Sequence, residues 1–529
     1  MPKVKINDVE VDVPAGTNMI EAARMVGEEI PHYCYHPHLS IAGNCRMCLV
    51  ETTTPRGPVL DIACNMQARD GLAIRTDSAQ VKHMRKSVME FLLVNHPLDC
   101  PICDQSGECR LQDYYMDHGQ YDSRGLDAKV GKAKRQEIGS EIMLDAERCV
   151  SCSRCVRFGD EVTGTGELRL MNRGDHTEIG MFPGDHISHA YQGNLADICP
   201  VGALTSRDFR FQRRVWYLKE SAGVCTKCAT GCNTTVFHQQ GEVFRYKPRR
   251  NDAVNKSWMC DEGRLSHHEV AGLDRILKAS VDGASTDVAA ALAELARRLK
   301  AAGGAKVAFV LGTQATNEAN WAMLQLARAT PGARVYVVGG NDPGRDDTAD
   351  SILRSADKNP NTAGVALLAA HHGAVGDRAK LLEDLAGVEW VVVLEDDVLG
   401  RLGAGGLTAK IAYFGWRRCT TAKAATVVVP VAHTTEMDGT YVNRQDRVQR
   451  ARRAVNPAGD ARPAYEVLDK LGAAVGVALG TAMVVATFNA MARTVPRMKG
   501  MDFKSVGDAG APLAALPAPP APATLGASA

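Results

Sequence analysis

Cysteine placement constrains this chain more than any other feature. Of 16 cysteines in 529 residues, only Cys419 lies beyond residue 260. The others fall into short-spaced groups. The densest group is the stretch N-H-P-L-D-C-P-I-C-D-Q-S-G-E-C-R-L-Q from Asn95 to Gln112. It sets His96, Cys100, Cys103 and Cys109 within fourteen residues. Pro97, Pro101 and Gly107 interrupt any helix there, so the segment is expected to wrap as a loop and turn several side chains toward one centre. Three thiolates and an imidazole suit an iron–sulfur cluster, and zinc accepts the same donors. A disulfide scaffold would need an oxidising compartment. The opening M-P-K-V-K-I-N-D-V-E has no apolar signal core, so the cysteines are read as metal ligands in a reducing cytosol.

The length implies several domains. With 62 basic and 61 acidic residues the net charge is +1, which gives no electrostatic case for nucleic acid or an anionic membrane. The basic run 207–214 is read as a solvated face or a subunit contact. Residues 471–492 are apolar and long enough to span a membrane. However, they are Ala-, Gly- and Val-rich and broken by glycine, which fits a buried helix–turn–helix and no direct membrane span.

Residues 4–13 alternate as a short hairpin turning at Asn7–Asp8. Thr17 is placed to cap a helix over 19–26. Strand, strand, helix and cysteine loop open a β-grasp of the ferredoxin kind. Cys34, Cys45, Cys48 and Cys64 follow, a pattern akin to plant-type [2Fe–2S] ferredoxins with a longer first gap. Gly43 and Asn44 are expected to curl the backbone so that amide N–H groups face the sulfurs. Residues 78–96 read as an amphipathic helix with Val81, Met84, Val88, Phe91 and Leu92 on one face. The run Cys149, Cys152, Cys155 with a distant Cys199-Pro200 is bacterial-ferredoxin spacing for one [4Fe–4S] cluster. Cys225, Cys228, Cys232 and Cys260 can enclose another, or zinc; the adjacent cluster sets favour iron–sulfur. After residue 270 the composition turns to Ala, Gly and Val. Helices are expected over 286–301 and 318–329, and strands over 306–311, 333–338 and 390–394. Alternation of this kind implies a parallel, doubly wound sheet. No GxGxxG follows a strand, so its glycine turns are read as structural. Residues 508–529, rich in Ala and Pro, read as a disordered tail.

With four ligand sets in this order, the chain resembles the large iron–sulfur subunit of bacterial respiratory complex I, NADH:quinone oxidoreductase. The matching text is G-N-C-R-M-C-L-V-E (43–51), H-P-L-D-C-P-I-C-D-Q-S-G-E-C (96–109), R-C-V-S-C-S-R-C-V-R-F (148–158) and D-I-C-P-V-G-A-L-T (197–205). A weaker match, A-H-T-T-E-M-D-G-T-Y-V-N-R-Q-D-R-V-Q (432–449), looks like the late part of a molybdopterin-oxidoreductase domain.

The resemblance implies a multidomain α/β and α+β chain. A β-grasp [2Fe–2S] ferredoxin-like domain would span 1–77, and a [4Fe–4S] segment with one histidine and three cysteine ligands 78–117. A [4Fe–4S] ferredoxin-like domain would span 138–217, and a 4Fe–4S domain of the molybdenum/tungsten-enzyme type 218–274. A shortened molybdopterin-oxidoreductase-like α/β domain over 275–507 and the tail 508–529 would follow.

It also implies one [2Fe–2S] cluster on Cys34, Cys45, Cys48 and Cys64, and three [4Fe–4S] clusters. These take His96, Cys100, Cys103 and Cys109; Cys149, Cys152, Cys155 and Cys199; and Cys225, Cys228, Cys232 and Cys260, the last thought to lie off the main electron wire. Electrons would enter at the Cys34 set, pass to the Cys149 set and leave by the His96 set. Implied partners are an NADH/FMN-binding subunit, a small [2Fe–2S] subunit, and quinone-site and two-cluster ferredoxin-like subunits. The implied location is the cytoplasmic face of a bacterial inner membrane, held there by those partners. No residue suggests an independent catalytic site or a nucleic-acid partner.

Three rival families share parts of this pattern. An NAD-linked formate dehydrogenase shares this N-terminal half but ligates molybdenum through a Cys or selenocysteine in the α/β domain. Cys419 lies too late for that, and Glu262 stands where such enzymes carry Lys, so no molybdenum cofactor is expected. An iron-only hydrogenase would need further cysteines. A zinc scaffold without redox activity would lack visible absorption.

Overall fold

A computed structural model describes residues 1–340, 348–403 and 408–515. The chain divides into two compact units, Met1–Leu218 and Lys219–Ala529.

The first unit opens with β1 (Lys3–Ile6) and β2 (Val9–Asp12), an antiparallel hairpin turning at Asn7, whose φ is 53°. Helix α1 (Met19–Met25) follows, then β3 (Leu49–Thr54), β4 (Gly57–Ile62) and β5 (Ala73–Arg75). The sheet order is β2-β1-β5-β3-β4, with β1 and β5 parallel. The apolar positions Val4, Ile6, Ile20, Val50 and Ile74 close its core. The expected cap is displaced by one residue: Asn18, not Thr17, accepts from the amides of Ile20 and Glu21. An Asn carbonyl reaches those donors from the residue that precedes the helix, which is where an N-cap must sit.

Helix α2 (Ala79–Leu93) is capped by Ser78 and leads into the Asn95–Gln112 loop; α3 (Arg110–His118) follows it. The buried line of α2 is Val81, Arg85 and Met89, and Phe91 is 80% exposed. The expected apolar face is therefore corrected. Arg85 turns inward because its Nη2 donates to the carbonyl of Leu49, and a buried guanidinium needs such an acceptor. A small antiparallel sheet of β6 (Gln136–Glu137), β7 (Ile142–Leu144) and β10 (Leu204–Ser206) carries α4 (Arg154–Phe158) and α5 (Gly193–Ile198). The hairpin β8 (Arg169–Met171) and β9 (Glu178–Gly180) lies between those helices in sequence.

The second unit begins with the meander β11 (Lys219–Val224), β12 (Asn233–Gln239) and β13 (Glu242–Pro248), then α6 (Asp261–Leu265). A seven-stranded sheet follows: β14 (Ala279–Val281), β15 (Ala284–Thr286), β16 (Val307–Leu311), β17 (Arg334–Val337), β18 (Trp390–Leu394), β19 (Lys410–Gly415) and β20 (Val427–Pro430). Its order is β15-β14-β20-β19-β18-β16-β17. The five strands from β20 to β17 are parallel, and the β14–β15 hairpin adds an antiparallel edge. The chain runs from β16 outward to β17 and returns to β18 on the other side, which makes the sheet doubly wound. Every residue of β16 and β18 is buried, as helices covering both faces require.

The covering helices are α7 (Val288–Ala302), α8 (Asn317–Arg328), α9 (Thr362–His372), α10 (Arg378–Asp384), α11 (Val398–Leu402), α12 (Thr420–Ala424), α13 (Ala464–Val475) and α14 (Val484–Thr494). Thr286 is strand, and Asp287 caps α7. The apolar stretch 471–492 holds the end of α13 and most of α14. Among the described residues no helix is long and apolar enough to cross a membrane.

A third sheet pairs β21 (Gly439–Val442), β22 (Arg447–Ala451) and β23 (Ala511–Pro512). This corrects the start of the expected tail. Asp508 accepts from Arg452 at 2.7 Å, β23 pairs with β22, and Leu513 is buried. The remainder, 516–529, lies outside the described residues.

Candidate metal centres

The four candidate ligand sets are built by loops at the ends of these elements. In the β-grasp, Cys34, Cys48 and Cys64 are buried and Cys45 is half-buried. The Cys34 sulfur takes hydrogen bonds from the Cys45 and Cys64 thiols and from the amides of Cys45 and Asn44, which holds it below the ordinary thiol range. Cys64 also bonds Cys48 and is pushed up. The four thiols thus form one contact chain, and the amides of the 43–45 loop face sulfur as expected. Arg46 takes φ 57° to make that turn, a conformation that costs a non-glycine residue about 1 kcal/mol and recurs where function dictates geometry.

In the Asn95–Gln112 loop, burial raises Cys103, and raises Cys109 to about 11; each also feels Cys100. The His96 imidazole is lowered to about 4 by burial, then by Lys129 and Arg148, so it is neutral near pH 7. Its Nδ1 is buried and has no hydrogen-bond partner among the described residues. A buried ring nitrogen without a partner is costly, and a metal bond would satisfy it. Among protein atoms, electrostatic contacts link the three thiols to one another, while His96 is linked to Asp99 and Arg148.

In the third set, Cys149, Cys152, Cys155 and Cys199 together line one cavity of about 20 Å³. Burial raises all four, Cys149 to about 11 and Cys199 to about 12. Ser151 and Ser153 sit at φ 51° and 59°, and the Ser151 amide donates to Cys149 Sγ at 3.3 Å. Sequence reasoning missed these two serines, because nothing in a Ser codes for a left-handed turn.

The fourth set gathers too: Cys225, Cys228, Cys232 and Cys260 are all buried and interact with one another. The Gly263 amide donates to Cys260 Sγ at 3.4 Å, and Gly231 takes φ 59° in the loop between Cys228 and Cys232. These loops, with N–H groups on sulfur and thiols grouped in fours or threes, fit iron–sulfur clusters.

Three sets are joined inside the first unit. Cys34 and Cys152 lie in one apolar cluster with Met47, Met89 and Leu111, and Cys45, Cys109, Cys149 and Cys199 pack against it. The charge on Cys34 is felt at Cys152. Arg157 Nη2 donates to the carbonyls of Cys34 at 2.6 Å and Cys152 at 3.2 Å, and Arg154 donates to the carbonyls of Tyr35 and Ile198. Between the second and third sets, Arg110 N donates to the carbonyl of Pro200. A Cβ placed on Gly202 would stand 2.2 Å from Cys103 Sγ.

Family models match the chain in the same order. They are a 2Fe–2S iron–sulfur cluster binding domain at 2–79 and an NADH-ubiquinone oxidoreductase-G iron–sulfur binding region at 85–124. The NADH-quinone oxidoreductase subunit 3 ferredoxin-like domain matches 139–205, and the NDSU1/NuoG-like 4Fe–4S domain 219–268. A molybdopterin oxidoreductase model matches 407–474. The G subunit of NADH-quinone oxidoreductase from Rickettsia felis is 41% identical over 267 residues, half of this chain and 39% of its own length. That of Streptomyces coelicolor is 42% identical over 51% of this chain and 32% of its own. That of Mycobacterium tuberculosis is 38% identical over 63% and 42%. Over half or more of its length the chain is similar to the G subunits of NADH-quinone oxidoreductase.

It matches less than half the length of each of these relatives. A chain of an NAD+-reducing [NiFe]-hydrogenase is also similar, at 27% identity and a TM-score of 0.37, over 40% of this chain and 91% of that one. The Cys34, His96, Cys149 and Cys225 sets fall within the four iron–sulfur matches in turn.

Proposed function

We propose that this chain is an electron-transfer subunit of NADH:quinone oxidoreductase. In this reading it passes electrons from an NADH/FMN subunit toward quinone, in a complex that couples the transfer to proton translocation. The observation that carries the reading is the shared apolar core of three ligand sets. Cys34 and Cys152 share that core, and Gly202, three residues beyond Cys199, packs on Cys103. This supports an order from the Cys34 set through the Cys149 set to the His96 set. Clusters bound there supply one-electron carriage at potentials set by ligand type, hydrogen bonds and burial. The chain's own residues hold the ligands and exclude water. Arg154 and Arg157 fix the first loop against the third, and the amides of Asn44, Cys45, Ser151 and Gly263 place positive dipoles on sulfur.

The ligands in this reading are the sixteen residues named above, giving one [2Fe–2S] and three [4Fe–4S] clusters. Partners are the NADH/FMN, small [2Fe–2S], quinone-site and two-cluster ferredoxin-like subunits, on the cytoplasmic face of a bacterial membrane. No molybdenum cofactor is assigned. Cys419, the one thiol in the α/β region, caps α12 by accepting from the Ala422 amide. It also contacts Tyr413 and Asp397, and burial raises it.

Metal analysis of the anaerobically prepared chain tests this. About 14 iron atoms per chain are expected from these nuclearities, with EPR signals from reduced clusters. Stoichiometric zinc with little iron would overturn it.

A further inference from the structure

A second kind of site lies in the first unit, beside the His96 set yet lined by none of its ligands. It is a cavity of about 310 Å³ whose lining includes Lys134, Arg135, Arg148, Arg210 and Arg214 against two carboxylates, Asp99 and Asp145. The carboxylates are already engaged. Asp99 accepts from Lys134 at 2.7 Å and from Arg148 Nη2 at 2.9 Å, and Asp145 pairs with Arg148 at 3.5 Å.

Among the described residues that leaves three guanidiniums without a carboxylate in ion-pair contact, although Arg210 feels the more distant charges of Asp104 and Asp145. Arg214 is spent on the carbonyls of Cys103 and Pro101 and lies 5.7 Å from the Trp216 ring. Arg210 stacks 4.8 Å from Phe211 and reaches only the Thr205 hydroxyl, at 3.4 Å. Among the described residues Arg135 makes no ion pair, and it holds φ 56°. Arg148 is 96% buried, since its relative exposure is 4%, and its Nη1 has no partner. Burial lowers Arg210 and the charge of Arg148 lowers it further; Asp104 and Asp145 oppose this, and Arg135 adds to it.

Crowded cations around a space, one of them buried with a free N–H edge, carry a repulsive cost that an anion removes. Guanidinium forks match oxyanion geometry better than any other side chain. We propose that this cavity binds a small free multivalent oxyanion, of the phosphate or di- and tricarboxylate class, next to the His96 set.

The test uses the full chain with its clusters in place, titrated with inorganic phosphate, sulfate and citrate at constant ionic strength set by chloride, and followed by calorimetry. Saturable binding of at least one of these over chloride is expected. Arg210→Gln and Arg135→Ala should each weaken it by about tenfold, the loss of one charge-assisted contact, with iron content and visible spectrum unchanged. The bound anion should also lower the midpoint potential of the His96 set, since negative charge opposes the added electron; Arg210→Gln should abolish that shift.

Three results would overturn the proposal. One is no saturation above chloride. Another is binding that both variants leave intact. The third is binding to the isolated chain that disappears in the assembled complex, which would show that the guanidiniums await a carboxylate of a neighbouring subunit.

Discussion

Gly202→Ala isolates the contact on which the proposed relay depends. Gly202 lies between Cys199 of one set and Cys103 of another, and an added Cβ would sit 2.2 Å from Cys103 Sγ, 3.1 Å from Gln105 Cβ and 3.7 Å from Arg148 Cδ. Ordinary contact begins near 3.5 Å, so the two segments must part by about 1.3 Å. A metal–ligand bond tolerates about 0.2 Å. Opening of that size therefore cannot be shared among the ligands; one set must give way.

Without metal the Cys103 thiol can rotate aside, and the apo chain should lose only the 1–3 kcal/mol typical of one overpacked methyl (~2 kcal/mol). With metal the thiol is tethered, and the variant should retain two of the three clusters proposed for the first unit. The missing one should be the His96 set, whose loop is the more exposed; Cys100 is already open to solvent. Iron and sulfide content, low-temperature EPR and a circular-dichroism melt of the apo form give the separate readings. Gly125→Ala, whose Cβ would meet only Ser123 Oγ at 3.6 Å, is the control. Full iron content with unaltered EPR in Gly202→Ala would refute the close approach of the two sets.

His96→Cys should keep a cluster but lower its potential, because thiolate adds a negative charge where imidazole is neutral; a redox titration with unchanged EPR and potential would show that His96 is not a ligand. In the proposed complex, Cys228→Ser should reduce the yield of assembly more than turnover per assembled complex, which native gels and NADH:quinone assays separate. Glu318→Gln should change the pH profile of stability. Glu318 is fully buried, accepts from Thr440 N at 2.9 Å and Oγ1 at 2.8 Å, and burial raises it to about 7. A folded value above the unfolded one means its contribution is present below about 4.5 and lost as pH rises to 7. The variant should therefore gain about 3 kcal/mol relative to the parent across that window, read by denaturant melts at fixed pH. Glu436→Ala should cost about 3–5 kcal/mol. It strands Arg275, which is 5% exposed and donates to both Glu436 oxygens at 3.0 and 2.7 Å; a loss under about 1 kcal/mol in the same melts would contradict the buried pair.

The grouping of the thiols was legible because metal-ligand spacing fixes residue type and position together. C-x-x-C-x-x-C with a distant Cys-Pro leaves little freedom, and those four thiols do line one cavity. Strands β16 and β18 were legible for a related reason, since continuous apolar runs have no exposed face to hide. What stayed hidden depends on tertiary partners. Phe91 fits a helical stripe, yet α2 turns Arg85 inward because the Leu49 carbonyl waits 3.0 Å away, and no periodicity records that acceptor. Gly202 carried no signal either, because a glycine forced by a thiol from another loop looks like any glycine. The start of the Ala/Pro tail misled for the opposite reason. Composition argued for disorder, while two backbone pairings with β22 and a buried Leu513 hold it.

The Cys225 set shows why the α/β region is kept although its one thiol is committed to a helix cap. The loop from Cys228 to Cys232 scarcely bonds itself. Ala229 N donates to the carbonyl of Asp357, and Thr230 Oγ1 to that of Leu353. Its own carbonyls take Asn443 Nδ2 at Thr230, Gln449 Nε2 at Gly231 and Arg444 N at Ala229. Gly231 cannot be replaced there without meeting Gln449 Oε1 at 2.6 Å. The loop's backbone groups are thus satisfied mainly by residues 353–357 and 443–449, far along the sequence. A set of thiols fixed this way is formed only when the α/β region is folded, and metal on those thiols would in turn hold that region. Each is the other's missing half, so the sheet has a structural reason to persist independent of any pocket it encloses.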